Sequence, residues 1–130
     1  MEILSLILWL LIIFQTKHFV ADYLLQNRYM LGKFRPDWGF FFPLLAHAGV
    51  HGVCTLLICL AFNPVYWWLS LIDVVAHFVM DRVKAGPKYL GRFNDKTKPV
   101  FWIALGGDQM FHHLTHYFFI YVLVMAELLK

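Results

Sequence analysis

Histidine and aspartate recur at four-residue spacing in four apolar stretches of this chain. The stretches that carry them read HFVAD, HAGVH, DVVAHFVMD and DQMFHHLTH. Residues four apart lie on one face of a helix, so each stretch, if helical, presents a single polar stripe. Imidazole and carboxylate groups are ligands that zinc and similar divalent metals take from proteins. The spacing therefore predicts metal chemistry rather than an ordinary apolar packing face.

The stripes also agree in depth when residues are counted from the end of each apolar segment that adjoins a basic loop. One group per segment lies eight or nine residues in, which is about 13 Å along a helix. The nine groups form a shallow, a middle and a deep layer: Asp22 and Asp81; His18, His47, His77 and Asp108; His51, Asp73 and His112. If neighbouring segments run in opposite directions, all nine meet in one half of a membrane.

The energetic cost of these groups also favours metal. An ionised aspartate at the bilayer centre costs about 2.5–3.5 kcal/mol on insertion scales, and four would cost on the order of 12 kcal/mol, comparable with a domain's net stability. Two divalent cations carry four positive charges, which match four carboxylates, and nine groups exceed the four of one tetrahedral site. The residues suit two metal ions sharing carboxylates; His–Asp pairing that knits the helices together is the structural alternative.

The elements that must position the stripes are membrane-spanning helices. Of the 130 residues, 61% are hydrophobic and 15% are charged, and the mean hydropathy is +0.64, unlike a soluble domain of this size. Four segments approach or exceed the roughly 20 residues that a span needs: 3–25, 38–62, 64–83 and 99–129. We expect one all-α domain, 1–130, folded as a four-helix transmembrane bundle whose first span is retained rather than removed as a signal peptide.

Basic residues set the orientation. Nine of the eleven lysines and arginines lie in or beside the first and third connections: Arg28, Lys33, Arg35, Arg82, Lys84, Lys88, Arg92, Lys96 and Lys98. The opposite side has only Lys130. The positive-inside rule then places both basic loops in the cytoplasm and both termini outside. We expect a multi-pass protein of the cytoplasmic (inner) membrane, with spans two and three joined as a tight hairpin through the short link FNP.

Other polar residues accompany the stripes. Three are expected to orient ligands or substrate: Gln26, Gln109 and His116. Lys17 precedes His18 by one position, so its side chain is expected to point away from the stripe and reach the surface. His113 adjoins His112 and faces elsewhere, which favours a packing role.

Four motifs together, HFVADYLLQ, HAGVHG, HFVMDRVK and DQMFHH, resemble a family of small bacterial and phage membrane proteins known as domain of unknown function 3307. The resemblance covers most of the chain and implies a four-helix membrane domain. It places eight residues at the family's polar positions, which we assign as metal ligands: His18, Asp22, His47, His51, His77, Asp81, Asp108 and His112. The family is also loosely similar to membrane-bound metal-dependent hydrolases, but fold-level likeness fixes no reaction.

The expected function is an intramembrane metal-dependent hydrolase. Two metal ions would polarise a carbonyl or phosphoryl oxygen and lower the pKa of bound water toward 7, with Asp73 or His112 as general base. No serine or cysteine lies on a stripe, which argues against a nucleophilic triad. We expect a membrane lipid or lipid-linked anionic substrate and no nucleic acid. Zinc is the expected metal, with manganese or iron as alternatives; Glu2 and Glu127, the only glutamates, are terminal, which disfavours a Glu-rich di-iron site.

Two other functions remain open. The first is transport of metal or protons, although the half of the chain away from the basic loops offers no continuous polar stripe, so a route would have to form at the interface of a homo-oligomer. The second is a non-catalytic, metal-stabilised membrane module that binds or inhibits a partner. An open metal coordination position would favour the hydrolase, whereas a closed set of ligands would favour the module.

Overall fold

The computed structural model describes residues 2–129 and contains four α-helices and no strand within that range. The helices are α1 (Ile3–Phe19), α2 (Phe41–Phe62), α3 (Leu69–Ala85) and α4 (Pro99–Leu128). The predicted all-α class is therefore confirmed, together with the number of helices. Lys130, the basic residue assigned to the side opposite the loops, lies outside the described residues.

A π-helical turn, Val20–Leu24, extends α1 and carries Asp22. The Leu25 N–H donates to the Val20 carbonyl at 2.9 Å, which is the five-residue hydrogen bond that defines this turn. Single π-turns are frequent at functional sites, because the extra residue redirects the side chains around it. Helical structure therefore runs to Leu24, and Asp22 occupies its irregular part.

The connection between α2 and α3 contains a separate short turn. Asn63 accepts a hydrogen bond from the Val65 N–H at 3.3 Å, and Pro64–Tyr66 form a 3-10 turn before α3 begins at Leu69. The third helix therefore starts later than residue 64, where its segment was predicted to begin, because Asn63 caps the short turn rather than α3. The connection is still short, and α2 and α3 pack against each other more extensively than any other two elements.

The first basic loop is fastened to α3 by Arg82. Its guanidinium lies 3.5 Å from the ring centroid of Phe40, which is a cation–π contact. It also donates to the backbone carbonyls of Lys33 at 3.4 Å and Arg35 at 3.2 Å. Residues 25–40 and 86–98 form what we call the loop end of the bundle. The contacts of Arg82 hold the first loop against α3 at this end.

The interior changes character along the helices. At the far end, opposite the loop end, the buried side chains form an apolar core: Leu6, Leu10, Phe14, Ile58, Cys59, Leu69, Phe119, Ile120, Leu123 and Val124. Toward the loop end, the buried side chains are mainly histidine, aspartate and lysine. The bundle therefore consists of a sealed apolar half and a polar half.

The outside of the bundle is apolar on all four helices. On α3, Leu71, Val75 and Val79 are spaced four apart and are each more than half exposed; on α4, Met110 and Leu114 are equally exposed. Monomeric soluble proteins rarely expose continuous apolar faces of this kind. An apolar exterior around a polar interior is the arrangement expected of helices that face lipid.

Two helical segments are long and apolar enough to cross a membrane: Ile3–Leu24 and Trp38–Phe62. Only 28% and 39% of their most apolar windows are buried, unlike the core helix of a soluble protein. The four-span prediction is not confirmed for α3 and α4. With 17 residues, α3 is about 25 Å long, shorter than a bilayer core of about 30 Å, while α4 is long enough but its polar stripe lowers its hydropathy.

Candidate metal centre

The predicted polar stripes meet in one network at the loop half of the bundle. All of its members are buried except Asp22, which is half-buried. It contains ten ionisable residues from the four helices and the π-turn: His18, Asp22, His47, His51, Asp73, His77, Asp81, Asp108, His112 and His116. His18 of α1 and His116 of α4 are therefore neighbours, with ring centroids 5.5 Å apart, as the shared helix faces predict.

Three imidazoles converge on Asp22. Its Oδ1 lies 3.0 Å from the Nε2 of His51 and 3.3 Å from that of His47. Its Oδ2 lies 3.2 Å from the Nε2 of His18. One carboxylate on the π-turn is thus surrounded by histidines of α1 and α2, and we call Asp22, His47 and His51 the first ligand group.

A second ligand group, Asp81, Asp108 and His112, joins α3 to α4. The Nε2 of His112 lies 3.2 Å from Oδ1 of Asp108 and 3.6 Å from Oδ1 of Asp81. The other oxygen of Asp81 lies 3.0 Å from the Nε2 of His47. His47 and Asp81 therefore link the two groups.

Both groups are compact enough to bind metal. In each, one nitrogen or oxygen per residue lies within 4.8 Å of the others. Two ligands of one zinc ion, each about 2.1 Å from it, are at most about 4.2 Å apart. Small side-chain rotations would therefore bring either group to coordination distance.

Several donor atoms of the two ligand groups have no hydrogen-bond partner. The Nε2 of His47, Oδ2 of Asp81 and Oδ1 of Asp108 have no hydrogen-bond partner among residues 2–129, although each lies within 3.2 Å of an oppositely polar atom. Buried polar atoms in proteins are normally paired. These three atoms have no such partner in the described chain, so they are available to coordinate a cation. The Nδ1 atoms of His47, His51 and His112 also lack a partner among the described residues, so water would have to form their hydrogen bonds.

The prediction for Lys17 is wrong. Its side chain is 3% exposed, and its ammonium nitrogen lies 2.5 Å from Oδ2 of Asp73 and 3.2 Å from Nε2 of His116. The bundle encloses more than one stripe of α1, so the residue next to His18 also faces the interior. The deep group of Asp73, His77 and His116 therefore already holds a cation of its own.

Asp73 has its partners within this deep group. Its Oδ2 accepts from Lys17 and from the hydroxyl of Thr55 at 2.6 Å. The Nδ1 of His77 hydrogen-bonds to the backbone carbonyl of Asp73 at 3.1 Å and lies 3.0 Å from its Oδ1. The opposite nitrogen of His77, Nε2, has no partner in the described chain. A backbone carbonyl that holds one imidazole nitrogen and leaves the other free is a common support of a metal-binding histidine. His77 also stacks between His51 and His112, with ring centroids 3.7 and 4.2 Å away.

Lysines offset most of the carboxylate charge. Three lysines, from α1, the first loop and α3, form ion pairs with aspartates of the network: Lys17–Asp73 at 2.5 Å, Lys33–Asp81 at 3.8 Å and Lys84–Asp108 at 2.8 Å. The expectation that metal ions must neutralise four aspartates therefore needs correction, because three of the four already have a lysine. Ligand geometry, rather than charge balance, would have to favour a metal ion here.

The residues expected to orient the ligands divide into two kinds. Gln109, on α4, connects α1 to the second ligand group. Its Oε1 lies 3.0 Å from Nε2 of His18, and its amide nitrogen donates to Asp108 at 3.1 Å. Gln26 keeps a buried Oε1 that has no partner among the described residues. His116 belongs to the deep group beside Lys17, and His113 packs its ring 5.4 Å from that of His18.

Three residues that contact the network were not predicted from the sequence. Thr55 follows His51 by four residues, so the spacing rule itself could have included it. Lys84 follows Asp81 by three and shares its helix face. Lys33 lies in a loop, and no periodic signal indicates that it folds back 3.8 Å from Asp81.

A polar cleft connects the network with the loop end. It has a volume of about 150 Å³, well above the roughly 10–15 Å³ that one water molecule requires. Its polar lining combines one aspartate of each ligand group with two lysines and two glutamines: Asp22, Gln26, Lys33, Asp81, Lys84 and Gln109. A small anionic or polar group can therefore reach Asp22 and Asp81 from this side.

Comparison with protein families agrees with the motifs. Residues 7–129 match the family described as protein of unknown function (DUF3307). The chain belongs to this family. No curated protein and no solved structure matches this DUF3307 chain. The expected similarity to membrane-bound hydrolases therefore has no support from known proteins, and function must be argued from the site.

Proposed function

We propose that this DUF3307 protein is an integral membrane metalloprotein that hydrolyses a lipid or lipid-linked phosphate ester at a two-metal site. The observation that carries the proposal is the meeting of two histidine–aspartate groups at the base of one polar cleft. The first metal would bind to Asp22, His47 and His51, and the second to Asp81, Asp108 and His112. Zinc fits this nitrogen and oxygen set, and manganese or iron is the alternative.

In this proposal all four helices cross the inner membrane, with both termini outside. Exposed apolar faces on α3 and α4 support their contact with lipid, although both contain polar stripes. Those stripes face the interior, where neighbouring helices pair them. The basic loops at the cleft mouth support a cytoplasmic position for the site.

The chain's own residues suit the hydrolysis of an anionic ester. Bound metal would supply Lewis-acid activation of water and of the phosphoryl oxygen. Lys33 and Lys84 line the cleft and would hold a phosphate by charge. His112 is assigned as a ligand of the second metal rather than as the general base, because its Nε2, which faces Asp108 and Asp81, has one lone pair and cannot bind a metal ion and a proton together. Asp73 is fully buried between Lys17 and Thr55, so we now assign it the orientation of His77 rather than proton transfer.

The far end of the bundle argues against transport. Leu10, Phe14, Leu69 and Phe119 are at most 1% exposed and close the path from the site to that end. A conducting route through one chain would have to break this core. A homo-oligomer could still provide a route at its interface, and a non-catalytic binding module would show metal without turnover.

The test is hydrolysis of phosphate-bearing lipids by the full chain in phosphatidylcholine nanodiscs. Phosphate release should stop on chelation and return with zinc or manganese. His112→Ala, which removes a ligand of the second metal, should lower the rate by more than about 100-fold, whereas the matched control His113→Ala, one residue away and outside both ligand groups, should keep it. Equal loss in both variants, or turnover that survives chelation, would contradict the proposal.

A further inference from the structure

An apolar groove adjoins the polar cleft at the loop end. Its volume is about 390 Å³, within the range of about 300–1,000 Å³ typical of ligand pockets. Its apolar lining comes from the loop 86–98, the start of α4 and one residue of the first loop: Phe34, Pro87, Leu90, Phe93, Phe101 and Leu105. The ligand groups do not use this groove.

The groove and the cleft share a wall. Phe34, Lys84 and Ala85 line both. Lys84 is about one-third exposed, and its ammonium nitrogen lies 2.8 Å from Oδ2 of Asp108. One molecule could therefore place a charged end beside Lys84 and an apolar part in the groove without crossing a polar barrier.

The charge of the cleft determines whether a bound molecule would place an anionic or a cationic group beside Lys84. Asp22 and Asp81 are balanced by Lys33 and Lys84 among the residues that line it. Each divalent metal bound there would leave the cleft positively charged, so an anionic group would be attracted and a cation repelled. Phosphate matches both lysine ammonium groups and bound metal.

We propose that the cleft and groove together bind a single amphiphile, a lipid that carries a phosphate head group at the cleft and one apolar chain in the groove. This inference rests on the proposed function, because it names the class and placement of the substrate for that site. Because Phe101, Ala104 and Leu105 of α4 line the groove beside loop 86–98, the lipid chain would lie where α4 begins, next to the cleft that holds Asp22 and Asp81.

The test uses an alkyl phosphate with a diazirine at the end of its chain, cross-linked to the full chain in phosphatidylcholine nanodiscs. Adducts mapped by mass spectrometry should fall on Leu90, Phe93 and Phe101. Ala104 also lines the groove, and Ala104→Trp should reduce these adducts about tenfold, equivalent to about 1.4 kcal/mol. The matched control Ile103→Trp, on the neighbouring exposed face, should leave them unchanged.

Metal content separates the outcomes. Retained metal in Ala104→Trp shows that the bundle is folded, and unchanged adducts in that variant would then overturn the groove. Adducts spread over the lipid-facing helices, or equal labelling by the corresponding alkyl alcohol, would overturn it as well. Groove labelling without hydrolysis would support the lipid site while refuting the proposed reaction, so the two failures are distinct. If Ala104→Trp loses metal, Leu105→Trp takes its place in the same comparison.

Discussion

Lys17 places its amino group in the deepest part of the network, 2.5 Å from Asp73. A buried ion pair gains little over an apolar pair, but removal of one partner leaves an uncompensated charge. Lys17→Met should therefore destabilise the protein by about 3–5 kcal/mol, measured by thermal unfolding in detergent.

A double-mutant cycle provides the control. Asp73→Asn combined with Lys17→Met removes both charges, so it should recover part of the stability that Lys17→Met alone loses. If Lys17→Met is as stable as the parent, the ammonium group is not held where the structure places it.

At the residue scale, the sequence predicts the ligand types better than their partners. The four-residue spacing identifies His47 and His51 as neighbours on one face, and both lie within 3.3 Å of Asp22. The same rule says nothing about how much of a helix a bundle encloses, so it misplaces Lys17. Ion pairs with loop residues such as Lys33 depend on tertiary folding, which leaves no periodic trace in the sequence.

At the scale of elements, α3 is the helix that best tests whether all four helices cross the membrane. It is short and charged, yet Leu71, Val75 and Val79 form an exposed apolar row. If that row faces lipid, Val75→Arg should cost about 2.5–3.5 kcal/mol of insertion free energy and lower the fraction of chain recovered in the membrane.

Tyr89→Arg is the matched control, since Tyr89 is similarly exposed but lies in the basic loop after α3. It should insert as the parent does. Equal membrane recovery for Val75→Arg and Tyr89→Arg would place α3 outside the bilayer.

Helix boundaries follow from local chemistry only in part. Pro99 opens α4 at the predicted residue, because proline suits the first helical turn. The 3-10 turn at Pro64–Tyr66 also begins with proline, so the same residue signals a different element there. The π-turn around Asp22 has no sequence signature, because it depends on how α1 packs against its neighbours.

At the scale of the whole molecule, the apolar half and the polar half of the bundle have different roles. The apolar core at the far end holds the helices together and seals the interior. The polar half gathers residues that are individually costly in lipid but share partners across four helices. Three lysines reduce the net charge of that half, and two divalent metals would make it positive, which suits an anionic substrate.

The most direct test of this account is the metal content of purified full-length protein, measured by mass spectrometry of the elements after metal-free chromatography. We predict about two divalent ions per chain, because two ligand groups share His47 and Asp81 as their link. His47→Ala should lose at least one of them, while His113→Ala should retain both. A stable parent protein that binds no metal, even after incubation with zinc, manganese or ferrous iron, would contradict the account.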